Sequence, residues 1–136
     1  MRKLSIVLFS LFIGACSVQD EEYSLADRYI ESFNSRSKGD LVFIYNLEGC
    51  YSCLNAMYNL QNELSETKEV WVILVGSDLH QIRKEMNDDK ILIGDHKYKI
   101  LKYIPDFNNG IIVERNNRKI IKINDAEDIY SYSNSL

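Results

Sequence analysis

The chain has 136 residues, of which 46% are hydrophobic and 26% are charged, a composition typical of one globular domain with a packed core. Its formal net charge is −4 at pH 7, and its lysines and arginines are scattered without a basic cluster. Proteins that bind nucleic acid neutralise phosphates with such a cluster, so the composition excludes nucleic acid as a partner.

Residues 1–15 have the pattern of a signal peptide. Two basic residues follow the first methionine, and the apolar stretch Leu4–Phe12 comes after them. This stretch is too short to span a bilayer, which takes about 20 apolar residues, but it fits the apolar region of a signal peptide. The small pair Gly14-Ala15 then directly precedes Cys16 and suits the narrow pockets of a signal peptidase.

The letters IGAC, which end at Cys16, resemble the lipobox of bacterial lipoproteins. The resemblance implies that Cys16 is acylated and becomes the mature N-terminus, with residues 16–23 as a lipidated cysteine and its tether. It places the protein in the bacterial cell envelope, lipid-anchored to a membrane at the periplasmic, outer-membrane or another extracytoplasmic face. The odd count of three cysteines agrees, because acylating Cys16 leaves Cys50 and Cys53 as a pair. An ordinary secreted protein with an incidental Cys16 is the alternative.

Residues 24–136 are predicted to form one domain in which helices and strands alternate. Its first helix is predicted from a capping box at Ser24–Asp27 to about Ser35, because apolar residues recur there at helical spacing. Two continuous apolar runs rich in β-formers, Leu41–Tyr45 and Val70–Val75, are typical of strands buried on both faces. The helix between them is indicated by residues that share one helical face, namely Cys53, Met57, Leu60 and Leu64.

Shorter elements are predicted in the second half of the domain. Asp78 is expected to cap a helix that extends to about Met86, because its carboxylate can accept from the N–H groups of the first turn. Ile91–Ile93 is predicted to be a short strand. Tyr98–Tyr103 is predicted to be a further helix.

The end of the chain predicts a hairpin followed by a helix. Gly110–Glu114 and Lys119–Ile123 are predicted strands, and two asparagines in the connection Arg115–Arg118 tolerate positive φ. Asp125–Tyr132 is predicted to be a short closing helix. The alternation predicts an α/β fold with helices on both faces of a mixed sheet of about four or five strands, with Leu41–Tyr45 inside it and the hairpin as its antiparallel edge.

The residues with the most informative chemistry are Cys50 and Cys53, which form a CxxC motif between a predicted strand and a predicted helix. A thiolate is the attacking species in disulfide exchange, and an ordinary cysteine titrates near pH ~8.5. The N–H groups and positive dipole end of the first helical turn favour a thiolate at Cys50. Because Cys53 falls on the apolar face, we expect Cys50 to be the exposed nucleophile and Cys53 to be the buried thiol that resolves the mixed disulfide.

The order strand, CxxC, helix, strand, helix, short strand, helix and hairpin resembles the thioredoxin superfamily. The export signal and the extra strand near Ile91–Ile93 resemble exported thiol-disulfide oxidoreductases of the TlpA/ResA type. The resemblance implies a thioredoxin-like three-layer sandwich and catalytic roles for Cys50 and Cys53. It implies protein thiols and disulfides as substrates, together with a redox partner. No metal or other cofactor is expected, because a structural zinc site needs four ligands and only His80 and His96 remain beside the pair, without ligand-like spacing. Within the motif, Tyr51 and Ser52 are the candidate substrate contacts.

Two departures from the family keep other functions open. Gly49 stands where the family usually has tryptophan, and Gly110 starts the strand that the family usually precedes with a cis-proline, while Pro105 lies five residues earlier. The main alternative is therefore a non-enzymatic binding module with a structural CxxC disulfide. Copper handling, with His96 as the candidate ligand, is a further alternative. Glu48, two residues before the motif, is predicted to be a solvated loop residue.

Overall fold

The computed structural model describes residues 18–33, 39–78, 80 and 91–136, and the side chains of residues 91–93 lie outside the description. The predicted signal peptide, the predicted lipidation site and most of the helix predicted after Asp78 also lie outside the described residues. The elements in chain order are α1 (18–31), β1 (Leu41–Asn46), α2 (Tyr51–Ser65), β2 (Val70–Val75), β3 (Ile91–Asp95), a 3-10 turn (Lys99–Lys102), β4 (Gly110–Glu114), β5 (Lys119–Ile123) and α3 (Ala126–Asn134).

The described strands form one five-stranded mixed sheet in the order β3-β2-β1-β4-β5. Strand β1 pairs in parallel with β2 and antiparallel with β4, so it lies at the centre as predicted. Strand β3 extends the parallel part beyond β2, and β5 forms the antiparallel edge. The chain therefore leaves β1, β2 and β3 at the same edge of the sheet, which we call the carboxyl edge.

Helices cover both faces of the sheet, and strand β1 contributes to both hydrophobic cores. Its alternate residues Leu41, Phe43 and Tyr45 pack against α2 and α3 on one face. Val42 and Ile44 face the other core, which includes residues of α1 and the 3-10 turn. A continuous apolar run suits a strand that is buried on both sides. The predicted fold class, a three-layer α/β sandwich around a mixed sheet, is confirmed.

The first helix begins earlier than the sequence predicted, and residues 18–23 are helical rather than part of a tether. The capping box at Ser24 is a local signal, and it is outweighed by the burial of Tyr23, whose side chain is only 5% exposed. An ion pair adds to this burial, since Lys122 Nζ lies 2.6 Å from Glu22 Oε1. The helix ends at residue 31, earlier than predicted.

The second half of the domain follows the predicted order with two local differences. The segment around Tyr98 forms only the short 3-10 turn. The side chain of Asp95, at the end of β3, accepts the backbone N–H groups of Lys99 and Ile100 at the start of this turn. In the hairpin the positive φ of 50° falls on Arg118 and not on an asparagine. The side-chain amide of Asn117 instead donates a hydrogen bond to the carboxylate of Glu114, the last residue of β4. Among the described residues, no helix has the length and apolar character needed to cross a membrane.

Candidate functional site

The CxxC motif lies at the carboxyl edge, where the central strand β1 passes through a short turn into α2. Cys50 is the N-cap of this helix and has extended backbone angles, φ −63° and ψ 123°. Its sulfur accepts the backbone N–H of Cys53 at 3.4 Å and lies 2.9 Å from Ser52 Oγ. The N–H groups of the first turn have no partner within the helix, so the sulfur of an N-cap cysteine is placed to use one of them.

The two thiols of the motif have opposite environments. Cys50 is partly exposed, whereas Cys53 is fully buried on the face of α2 that packs against the sheet. Hydrogen bonds from Cys53 and Ser52 lower the pKa of the Cys50 thiol to about 7. Burial, followed by the hydrogen bond with Cys50, raises the pKa of Cys53 to about 11. Near neutral pH about half of Cys50 is therefore thiolate, while Cys53 remains a thiol.

The other two residues of the motif lie on the exposed side of the first helical turn. Tyr51 is 77% exposed, so its ring is free to meet a partner beside Cys50. Ser52 is also exposed, but its hydroxyl contacts the Cys50 sulfur, which gives it a role within the site. Leu54 and Tyr58 continue the face that Tyr51 begins, with Leu54 half-buried and Tyr58 38% exposed. An aromatic and apolar surface thus extends from the motif along α2.

The backbone before Cys50 lies so close to the loop before β4 that a side chain at position 49 would be tightly packed. A Cβ on Gly49 would lie 3.0 Å from both Asn109 Oδ1 and the carbonyl oxygen of Asn46. The tryptophan that the thioredoxin superfamily usually has before its first cysteine would require Asn109 and Asn46 to shift. The departure at Gly49 is therefore a consequence of the packing of the loop against it.

Asn109 directly precedes β4, which is the place where the superfamily usually has its proline. Its side-chain oxygen accepts the backbone N–H of Cys50 at 2.8 Å. The next residue, Gly110, packs against α2, since a Cβ there would lie 2.6 Å from Met57 Sδ. Among the described residues no peptide bond is cis. The sequence analysis noted the missing proline but assigned no role to Asn109. The position of Asn109, directly before the strand that faces the motif, could have marked it as a residue of the site.

Glu48 connects the motif to the ends of the neighbouring strands. Its Oε1 accepts the Ser77 hydroxyl at 2.7 Å, and Ser77 follows directly after Gly76 at the end of β2. The neighbouring Tyr98 phenol and the Ser77 hydroxyl lower the pKa of Glu48. Burial and then Glu48 raise the pKa of Tyr98 to about 12. Glu48 is exposed as predicted, but it is not merely solvated, because its carboxylate accepts hydrogen bonds from Ser77 and so joins the segments that follow β1 and β2.

The histidines lie apart from the two cysteines. His96 is exposed after β3, and strand β2 lies between β3 and the strand that carries the motif, a lateral separation of about 10 Å. His80 is also exposed. In the part of the chain that the structure describes, no group of three or more histidine, cysteine, aspartate or glutamate side chains is placed to hold a metal ion.

Comparisons with known proteins give one result at the level of the fold. Neither a scan of protein-family models nor a search of curated proteins gave a match. A search of solved structures found similarity to a thioredoxin-like protein from Aeropyrum pernix, known from a 1.7 Å crystal structure. The identity is 14% and the TM-score is 0.48, over 75% of this chain and 81% of that chain.

Proposed function

We propose that the protein is a membrane-anchored thiol-disulfide oxidoreductase that acts on protein disulfides through Cys50 and Cys53. The observation that carries the proposal is the contrast between the two thiols at the start of α2. Cys50 is partly exposed and accepts hydrogen bonds on its sulfur, whereas Cys53 is buried one helical turn away. A purely structural pair has no need of this asymmetry, but stepwise disulfide exchange requires it.

The reaction follows from this asymmetry. The Cys50 thiolate attacks one sulfur of a client disulfide, forms a mixed disulfide, and releases the other client sulfur as a thiolate. Cys53 then gives up its proton, attacks the Cys50 sulfur and releases the second client thiolate. The client gains two electrons and, with two protons, leaves as a dithiol, while the Cys50–Cys53 pair becomes a disulfide. A dithiol redox partner must reduce this disulfide before the next cycle, and the whole sequence runs in reverse when the protein oxidises its client.

The surface around Cys50 favours polypeptide clients. Tyr51, Leu54 and Tyr58 present an aromatic and apolar face of α2 beside the exposed sulfur. Aromatic side chains bury a large area on contact and lose little conformational freedom, which is why they are common at protein interfaces. We therefore expect a protein segment with a disulfide to pack on this face, and Tyr51→Ala to weaken client binding more than the attack on a small disulfide.

A pair of cysteine variants tests the redox function. Cys53→Ser leaves an attacking thiolate without a resolving thiol, so mixed disulfides with client proteins accumulate and are visible on non-reducing gels. Cys50→Ser is the matched control and traps few clients or none, because the remaining thiol is buried. Equal trapping by both variants overturns the assignment of roles. No trapping, together with no insulin reduction by the unsubstituted protein, overturns the enzymatic function.

The anchored location is a separate part of the proposal and is supported by the IGAC pattern that ends at Cys16. Acylation of that sulfur, with a second acylation, anchors a protein stably, because each buried methylene contributes about 0.8 kcal/mol. Metabolic labelling with a fatty acid analogue is expected to label the protein but not its Cys16→Ser variant. Label on the variant, or none on the unsubstituted protein, contradicts the assignment.

The second candidate is a binding module on the same fold, in which the CxxC pair is a structural disulfide. The observation that favours it is Asn109, which occupies the place of the proline that the superfamily usually has beside its motif. A structural disulfide is expected to resist dithiothreitol until the protein unfolds. Reduction of the folded protein by dithiothreitol, followed by client trapping, excludes this candidate.

A further inference from the structure

Asn109 is a buried polar residue at the meeting point of three segments near the motif. Only 8% of its surface is exposed. Its Oδ1 accepts the Cys50 N–H at 2.8 Å, and its Nδ2 donates to the carbonyl oxygen of Asn124 at 2.6 Å. Its own carbonyl oxygen accepts the N–H of Asn46, at the end of β1, at 3.2 Å. One side chain thus joins the loop before β4 to the motif and to the segment before α3.

The two side-chain contacts of Asn109 fix the orientation of its amide. Cys50 N–H is a donor and requires an oxygen, whereas the Asn124 carbonyl is an acceptor and requires an N–H. A flipped amide would place two donors together at Cys50 and two acceptors together at Asn124. The chemistry of both partners therefore selects the same orientation, and at neutral pH no other side chain of this size offers a donor and an acceptor in the same plane.

The hydrogen bond from Cys50 to Asn109 holds the backbone nitrogen of Cys50, and this nitrogen helps to determine where the Cys50 sulfur lies. As the N-cap of α2, Cys50 has a backbone N–H outside the hydrogen-bond ladder of the helix. Two covalent bonds separate that nitrogen from Cβ, so holding it also limits where Sγ can move. The sulfur lies where it accepts the Cys53 N–H at 3.4 Å and contacts Ser52 Oγ at 2.9 Å. Without Asn109, these contacts on the sulfur depend on the turn before the helix alone.

We propose that Asn109 is a positioning residue that holds the backbone of Cys50 so that its sulfur lies over the first turn of α2, ready to attack a client disulfide. The inference rests on the proposed function and adds to it the residue that takes the structural place of the superfamily's proline. Asn109 acts through Cys50 and need not touch the client. Attack on a disulfide demands alignment of three sulfurs, so a fixed nucleophile reacts faster than a mobile one.

The test measures the thiol chemistry of Cys50 in Asn109→Ala. Loss of the acceptor for its N–H loosens the contacts of the sulfur with Cys53 and Ser52, so the Cys50 pKa is expected to rise from its value of about 7. A rise of about one pH unit would lower the thiolate fraction at pH 7 from about one half to about one tenth, a fivefold loss. Alkylation by iodoacetamide at pH 7, followed by mass spectrometry of the Cys50 peptide, measures this loss site by site.

Two further variants measure the effect of a charge at position 109 and the effect of a substitution at the neighbouring position. Asn109→Asp is nearly isosteric and keeps an acceptor for the Cys50 N–H, but it brings a negative charge beside the sulfur and cannot donate to Asn124. Its Cys50 is expected to have a higher pKa than that of Asn109→Ala, because a nearby like charge disfavours the thiolate. Asn108→Ala is the matched control: the same residue type, the neighbouring position and an exposed side chain. Its alkylation rate is expected to stay within twofold of the unsubstituted protein.

The outcomes separate this inference from the proposed function. If Asn109→Ala is folded and alkylates as fast as Asn108→Ala, Asn109 has no positioning role, even when its loss lowers the melting temperature. If Asn109→Ala does not fold, Asn109→Leu decides, because it keeps the volume of the side chain and removes the acceptor without adding charge; an unchanged rate in that variant overturns the inference. Alkylation requires no client, so failure to reduce insulin or to trap clients would overturn the redox function while leaving the effect of Asn109 on Cys50 measurable.

Discussion

The contact that positions Cys50 and the contacts that hold the hairpin turn at the other end of the sheet differ in their chemistry. At the carboxyl edge, Cys50 is joined to the loop before β4 by neutral groups, a backbone N–H and the amide oxygen of Asn109. At the opposite end, where the hairpin turns, charged groups make the connections. Arg115 Nε lies 3.0 Å from the Asp27 carboxylate of α1, and the buried carboxylate of Glu114 accepts hydrogen bonds from α3 and from the turn.

The difference shows how the fold separates stability from thiol chemistry. A charged contact on Cys50 would shift its pKa, whereas an amide holds it without adding charge. The hairpin end is four residues along β4 from the site, since Gly110 pairs with Tyr45 and Glu114 pairs with Leu41. That distance is about 14 Å, which exceeds the screening length of about 8 Å at physiological salt. Ion pairs at that end can therefore stabilise the fold with little effect on the thiolate.

The largest expected effect is the loss of activity in Cys50→Ser. A serine hydroxyl remains protonated at neutral pH, so reduction of a small disulfide substrate should fall by at least about 10³-fold. The free energy of unfolding should change by less than about 1 kcal/mol, because the side chain is partly exposed and similar in size. A variant with equal activity, or one that loses its fold, contradicts the separation of the two ends.

The pH dependence of alkylation gives the next largest effect. The rate at Cys50 should fall about tenfold per pH unit below its pKa of about 7 and reach a plateau above it. Cys53 should stay unmodified through this range, because burial raises its pKa to about 11. Glu114→Gln, at the opposite end, is the control and should leave the midpoint unchanged. A midpoint near that of an ordinary cysteine, about 8.5, would contradict the assignment of Cys50 as the activated nucleophile.

The prediction for the hairpin end is a loss of stability without a change in thiol chemistry. The Tyr132 hydroxyl donates to the Glu114 carboxylate at 2.6 Å, and both residues are buried. Tyr132→Phe removes a hydrogen bond to a charged group and should lower the free energy of unfolding by about 1.5–3 kcal/mol. Denaturation with urea measures this loss. The rate of Cys50 alkylation should stay the same, and a slower rate would mean that the two ends are coupled.

The loss of stability in Tyr132→Phe is also expected to depend on pH. Burial alone would raise the pKa of Glu114, but hydrogen bonds from Tyr132 and Asn117 outweigh it and lower the pKa below 4.5. A lowered carboxyl pKa in the folded state contributes stability above the unfolded pKa, and this contribution is lost as the pH falls through the folded pKa. The difference between the unsubstituted protein and Tyr132→Phe should therefore narrow below about pH 4.5. A difference that widens in acid contradicts this assignment.

The smallest expected effect concerns the ion pairs that join α1 to the rest of the domain. Lys122 Nζ lies 2.6 Å from Glu22 Oε1 and 2.9 Å from Asp106 Oδ2, and its side chain is 29% exposed. Lys122→Met should lower the free energy of unfolding by less than about 1 kcal/mol, and the difference should shrink in 1 M salt. Lys102→Met, on an exposed turn, is the control. An effect that is independent of salt would indicate packing of the lysine stem instead.

The sequence predicted the strands well because burial leaves a local signature. Val70–Val75, Gly110–Glu114 and Lys119–Ile123 have the bounds that their apolar patterns indicated, and Asp125, predicted as the first residue of the closing helix, is its N-cap. The start of α1 was wrong, because the capping box at Ser24 is a local preference and the burial of Tyr23 is decided by distant parts of the sheet.

The candidate site was predictable only in part. The exposure of Cys50 and the burial of Cys53 follow from helical phase, which a short segment reveals. The contact between Cys50 and Asn109 joins residues that are 59 positions apart, so no local pattern shows it. The tight packing at Gly49 is likewise decided by the loop before β4.

The position of α1 has a consequence for where the protein can work. The helix belongs to the domain from residue 18 onward, and a chain extends at most about 3.6 Å per residue. If Cys16 is acylated, as proposed, its Cα would lie within about 7 Å of that of Val18, so a single residue would separate the lipidated cysteine from the described helix. Such an arrangement confines the protein to a layer about as thick as the domain itself. Client disulfides at the membrane surface would then meet Cys50 at a high effective concentration, and those farther away would depend on their own diffusion.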